Sequence, residues 1–138
     1  DVLALDPVVV VILAGTNDIA GNTGPSTQAM IGDNLASMAE LAQANGVRVV
    51  LSSVLPASDY PWRPGLDPGP KIVALNRWME QYSAANGIVY LDYHSGMVDQ
   101  YLGLDQALSQ DGVHPNEAGY QLMAPLAQRA IANALVGR

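Results

Sequence analysis

The chain has 138 residues, the size of one domain, and a hydrophobic fraction of 49%, which is enough apolar material for a core. Charged residues make up only 14%, which argues against disorder, and six scattered Lys and Arg in a chain of net charge −7 disfavour nucleic acid, whose phosphates need clustered cations. The lack of Cys excludes disulfides, thiolate catalysis and Cys-ligated zinc.

In chain order, Val8-Val9-Val10-Val11-Ile12-Leu13 is a continuous apolar run rich in β-branched residues. It predicts a strand over 8–13 buried on both faces, as in parallel sheets. Extended to Ala14 it is the longest apolar run, yet only of strand length, so no membrane span is expected. The stretch 15–25 holds two Asn, three Gly and a Pro and predicts a loop. Ser26 or Thr27 then caps a helix reaching Asn45, with Met30, Ile31, Leu35, Met38, Leu41 and Ala42 at helical spacing and Asn45-Gly46 as its stop. A second strand covers 47–54. The segment 56–70 holds five of the nine prolines and predicts a loop rather than a helix. A second helix spans 72–85, on Ile72, Leu75, Trp78, Met79 and Tyr82, and Asn86-Gly87 closes it. A third strand follows over 88–91, then a loop with short helical turns over 92–113. The last helix covers 116–135, with a kink expected at Pro125.

Strands alternating with helices predict an α/β fold, a three-layer α/β/α arrangement around a parallel sheet. No repeat or linker divides it, so 1–138 reads as one domain or part of one. Three strands make a small parallel sheet, and a strand as uniformly apolar as 8–13 belongs at a sheet's centre. One of its neighbours is therefore expected to be missing.

Ligands of open α/β sheets bind beyond the carboxyl ends of the strands. Gly15-Thr16-Asn17-Asp18 follows the first strand at that edge. Gly15 lets the chain turn, and Asn17 can offer an uncharged amide to an oxyanion. Asp18 is expected to brace the loop by accepting backbone N–H bonds. The alternative is ordinary turn chemistry. Asp111-Gly112-Val113-His114-Pro115 is the second motif. In a turn the Asp111 carboxylate can accept from Nδ1–H of His114 and leave Nε2 as a base. Here the alternative is an Asx turn that caps the last helix, with His114 at the surface. Together the motifs make two parts of an acyl-transfer site. No nucleophile is evident: Ser52 and Ser53 end a strand with no Gly-rich turn, Ser26 and Ser109 read as cap or loop serines, and Ser95 beside His94 is a weak pair.

At these residues the chain resembles the SGNH/GDSL hydrolase family. Gly15-Thr16-Asn17-Asp18 is similar to the block whose Asn completes the oxyanion hole, and Asp111-Gly112-Val113-His114 to the block whose Asp and His complete a triad. The helix from Asn116, with Gly119 and Tyr120, also matches. The resemblance implies a flavodoxin-like parallel sheet and a carboxylic ester hydrolase that needs no cofactor and no metal. It assigns Asp111 and His114 to the triad and Asn17 to the oxyanion hole. The family's Gly-Asp-Ser-Leu block with the nucleophile, and the block with a second oxyanion Gly, do not occur. The chain is thus expected to be the C-terminal part of one SGNH domain, with the serine upstream and the fragment inactive alone. The missing N-terminal segment, or a second copy of the chain, is expected to pair with the edge of strand 8–13.

A small-molecule ester is the partner this implies. Tyr60, Trp62 and Arg63, on the proline-rich loop at the carboxyl end of the second strand, are assigned to the substrate wall; the alternative is a surface loop pinned by Trp62. The competing readings are a metal-dependent phosphoesterase using Asp18, Asp111 and His114, and a non-catalytic carbohydrate- or ligand-binding module with Tyr60 and Trp62 as stacking surfaces. A phosphoacceptor domain is weaker still. The chain begins at Asp1 without Met, which leaves targeting and compartment open.

Overall fold

A computed structural model describes residues 2–136. Its strands are β1 (Val9–Ile12), β2 (Arg48–Ser52) and β3 (Val89–Leu91), and its helices are α1 (Thr16–Ile19), α2 (Gln28–Ala44), α3 (Pro68–Asn86), α4 (His94–Met97) and α5 (Glu117–Val136). The sheet is parallel in the order β1-β2-β3, with Val10 beside Val49 and Leu51 beside Tyr90.

Side chains on β2 alternate between two cores. Val49 and Leu51 join Ile12, Ile31, Leu35, Ile72, Leu75 and Met79 under α2 and α3. Val50 joins Leu91, Met123, Ala130 and Ala134 under α5. Both faces of β2 are covered, as its nearly unbroken apolar run requires. The double burial expected of 8–13 is not met: in β1 only Ile12 is buried and Val11 is exposed. The three-layer α/β/α expectation holds.

Two element assignments need correction. Helix α3 begins at Pro68, inside the segment expected to be loop. Prolines obstruct a helix interior, but Pro68 and Pro70 lie in the first turn, where the N–H groups have no intrahelical acceptor in any case. The loop expected over 15–25 contains the single helical turn α1. At the last helix, the helical assignment runs unbroken through Pro125.

Strand β1 pairs only with β2 among the described residues. Val8, Val11 and Leu13 are exposed there, and a cavity of about 480 Å³ lies alongside, walled by Val2, Leu3, Val10, Val11, Met38 and Leu41 among others. An apolar strand edge without charge or Pro is a template for pairing with another chain.

Candidate active site

The first motif sits where β1 hands the chain over to a turn. After β1, Gly15 adopts φ +117°. A Cβ at this position would lie 3.2 Å from Val54 and 3.3 Å from Leu75, so both the backbone angle and the space call for glycine. The turn sets Thr16 and Asn17 at the head of α1. Asp18 accepts from the Thr23 hydroxyl at 3.0 Å, so it braces this loop through a side chain rather than through the backbone N–H groups expected.

Asn17 is held by its neighbours. Its Oδ1 accepts from Asn22 Nδ2 at 3.0 Å, and Asn22 Oδ1 accepts from the Trp62 indole N–H at 3.1 Å. The backbone of the same loop is pinned from the proline-rich segment. Arg63 Nη1 donates to the carbonyl of Ala20 at 2.8 Å and packs where a side chain on Gly21 would lie.

The second motif is a tight turn ahead of α5. His114 Nδ1 lies 2.7 Å from Asp111 Oδ2. A carboxylate only accepts, so Nδ1 carries the proton and neutral His114 presents a free Nε2. The other carboxylate oxygen, Oδ1, accepts from the backbone N–H groups of Val113 and His114 at 2.9 and 2.8 Å and lies 3.2 Å from Ser109 Oγ. These bonds, those from His114 first among them, hold the Asp111 carboxyl well below the usual carboxylate range. The Asx turn and the imidazole contact thus coexist on one carboxylate. Capping of α5 falls to Asn116, whose Oδ1 accepts from Gly119 N–H at 3.0 Å. A Cβ on Gly119 would stand 2.7 Å from the Leu108 carbonyl oxygen, so glycine lets the helix approach the loop that carries the pair.

Asn17 and His114 line one cavity of about 260 Å³, together with Thr16, Leu55, Trp62, Tyr120 and Met123 among others. Of the three loop residues expected on a substrate wall, only Trp62 lines this cavity. Tyr60 is fully buried beneath it, the two rings stacked 5.2 Å apart, and burial pushes its hydroxyl up to about 12. Arg63 is turned toward Ala20. The Trp62 and His114 rings lie 6.4 Å apart.

Among the described residues no serine lines the cavity. Ser52 and Ser53 are fully buried, the former donating to Ile12, the latter accepting from the N–H groups of Tyr93 and His94. Ser109 is the site residue whose role sequence reasoning passed over. Its hydroxyl oxygen takes the Gly112 N–H at 3.0 Å and lies 2.8 Å from the His114 carbonyl, which ties the turn together. Among the described residues no three His, Asp or Glu side chains converge as a metal site would need.

The cavity lies at the carboxyl edge of a parallel α/β/α sheet, where ligands of such sheets bind. The family model for GDSL-like lipases and acylhydrolases matches residues 1–122, and the chain belongs to that family. It is 31% identical over 113 residues to esterase TesA of Pseudomonas aeruginosa, covering 79% of this chain and 48% of that protein. A GDSL-like lipase from Bacteroides thetaiotaomicron superposes with a TM-score of 0.93 at 46% identity, covering 97% of this chain and 66% of that one. A candidate acylhydrolase from Bacteroides fragilis gives 0.95 at 43% identity, over 98% and 66%. The chain therefore spans about half the length of the curated relative it matches. No helix among the described residues is long and apolar enough to cross a membrane.

Proposed function

We propose that this chain carries the acid–base and oxyanion parts of a serine ester hydrolase. The observation that carries the proposal is the single cavity lined by both Asn17 and His114, with Asp111 on the far nitrogen of the imidazole. A serine attacks the ester carbonyl, and His114 Nε2 takes its proton. Asp111 holds the ring and stabilises the imidazolium. Asn17 Nδ2–H donates to the carbonyl oxygen as it becomes an oxyanion. His114 then returns the proton to the leaving alcohol, and water activated in the same way releases the acyl group. The nucleophile comes from a part of the protein outside these 138 residues, on an element that pairs with the free edge of β1. That edge opens beside the cavity, since Leu13 borders both it and the apolar groove.

The test is Asn17→Ala in the full-length protein, with a p-nitrophenyl ester as substrate. The expected loss in kcat is about a hundredfold to a thousandfold, the usual effect of removing an oxyanion donor. A variant within about twofold of the parent would return Asn17 to ordinary turn chemistry.

Residues 1–138 on their own are expected to show no ester hydrolysis above a His114→Ala control and to self-associate through β1. Light scattering after size exclusion checks the second point. Turnover that depends on a hydroxyl within the chain, Thr16 at the cavity wall included, would overturn the placement of the nucleophile.

A further inference from the structure

We propose that Asn22, oriented by the indole of Trp62, sets which end of the Asn17 amide faces the cavity. The two are positioning residues, and their role matters only if Asn17 is the oxyanion donor proposed above. An asparagine side chain has two ends of nearly equal shape, one accepting and one donating. An oxyanion hole needs the donating end. Nothing in the shape of Asn17 alone makes that choice, so a neighbour of fixed polarity has to make it.

The polarity can be followed from one fixed point. An indole N–H donates and cannot accept. The atom of Asn22 that faces Trp62 Nε1 at 3.1 Å must therefore be Oδ1. That turns Asn22 Nδ2 toward Asn17, where the atom 3.0 Å away must accept and is Oδ1. Asn17 Nδ2 is left for the cavity that Asn17 lines. A donor-only ring thus propagates one orientation through two amides. The loop does not depend on this relay for its position. The backbone bond from Asn22 N–H to the Asn17 carbonyl at 2.9 Å and the Arg63 contact to Ala20 hold it independently.

Asn22→Asp keeps the shape and inverts the polarity. A carboxylate still accepts from Trp62, but it cannot donate to Asn17. It draws Asn17 Nδ2 toward itself with a charge-assisted bond, about twice as strong as a neutral one, and turns Asn17 Oδ1 toward the oxyanion. In the full-length protein kcat should fall by about tenfold to a hundredfold, with KM within about twofold. Trp62→Phe keeps the stack on Tyr60 and removes only the N–H. The two relay orientations then become nearly equal in energy, so kcat should fall by about twofold and no more, again without change in KM.

A double-mutant cycle separates polarity from plain charge. In an Asn17→Ala background, Asn22→Asp should cost less than about threefold, because no amide remains to invert. If Asn17→Ala is damaging but Asn22→Asp is harmless, the relay is wrong and the oxyanion assignment stands. If Asn17→Ala is itself harmless, the oxyanion assignment is the one that fails. A full Asn22→Asp effect in the Asn17→Ala background would mean direct repulsion by the carboxylate and overturn the relay. A Trp62→Phe effect that resides in KM would place Trp62 on the substrate wall instead. Unchanged melting temperatures establish that each variant is folded.

Discussion

Replacing His114 by alanine in the full-length protein is expected to lower kcat for an activated ester by about ten-thousandfold or more, the scale seen when a triad base is removed. In the proposed mechanism the imidazole is the base and the acid of both half-reactions, so its removal takes away every proton transfer. The loss should appear in kcat rather than KM, as for a group whose part is played in the transition state. A burst experiment should show no acyl-enzyme. Asp111→Asn makes a graded comparison. Its Oδ1 would still accept from Val113 and His114 N–H, so its Nδ2 would face the imidazole and select the wrong tautomer. The depressed pKa of Asp111 also fixes the sign of its pH dependence. Its folded-state value lies below the ordinary one, so the Asp111 carboxylate persists as pH falls through the ordinary carboxylate range, and its contribution is lost only below it. Activity that disappears near about pH 4 is therefore lost through other groups than Asp111. A His114→Ala variant that keeps more than about a tenth of kcat would remove the imidazole from the mechanism.

The parts of this molecule that could be read in advance are those encoded locally. The run from Val8 to Leu13 predicts a strand because it is continuously apolar and β-branched, and β2 and β3 follow the same logic. Its burial on both faces is not met, since only Ile12 of β1 is buried and Val8, Val11 and Leu13 are exposed at the edge. Gly15-Thr16-Asn17-Asp18 and Asp111-Gly112-Val113-His114 are contiguous, so their turns could be anticipated. What stayed illegible depends on contacts across the sequence. Proline content marked 68–70 as loop, but the start of α3 is decided by which N–H groups lack partners, not by composition. Position alone places Trp62 and Arg63 on a substrate wall. Trp62 does line the cavity, but the polar groups of both residues are used on a loop about forty residues earlier, on Asn22 and Ala20. Ser109 looked like an ordinary loop serine, because nothing local shows that the turn at 111–114 folds back over it.

Asn76 is the strongest case of a residue hidden by its pattern, and its replacement carries the largest expected cost to stability. It falls on α3 among Ile72, Leu75 and Met79, where an apolar residue would fit the helical spacing. Its amide instead closes a ring with one residue of the chain leaving β2. Oδ1 accepts from Val54 N–H at 2.7 Å, and Nδ2 donates to the Val54 carbonyl at 2.9 Å. Val54 is fully buried and Asn76 only 7% exposed, so water has little access to either group. Asn76→Ala leaves a buried donor and a buried acceptor unpaired, each costing about 1–3 kcal/mol. The gain in helix propensity is under about 1 kcal/mol and does not offset that. A net loss of about 2–5 kcal/mol is expected by urea unfolding, a large share of a stability of about 5–15 kcal/mol. Since Leu55, Pro56 and Ala57 line the cavity just beyond Val54, kcat should fall as well. Asn76→Asp tests the same ring at nearly constant volume. Its ionised form cannot donate to the Val54 carbonyl, whereas its protonated form can, so the folded state should raise its pKa above the unfolded value. Its stability deficit should then be smallest below the ordinary carboxylate pKa of about 3.9 and grow as pH rises through the folded-state value. A deficit for Asn76→Ala under about 1 kcal/mol, with no pH trend for Asn76→Asp, would mean that water replaces the amide and that the clip is dispensable.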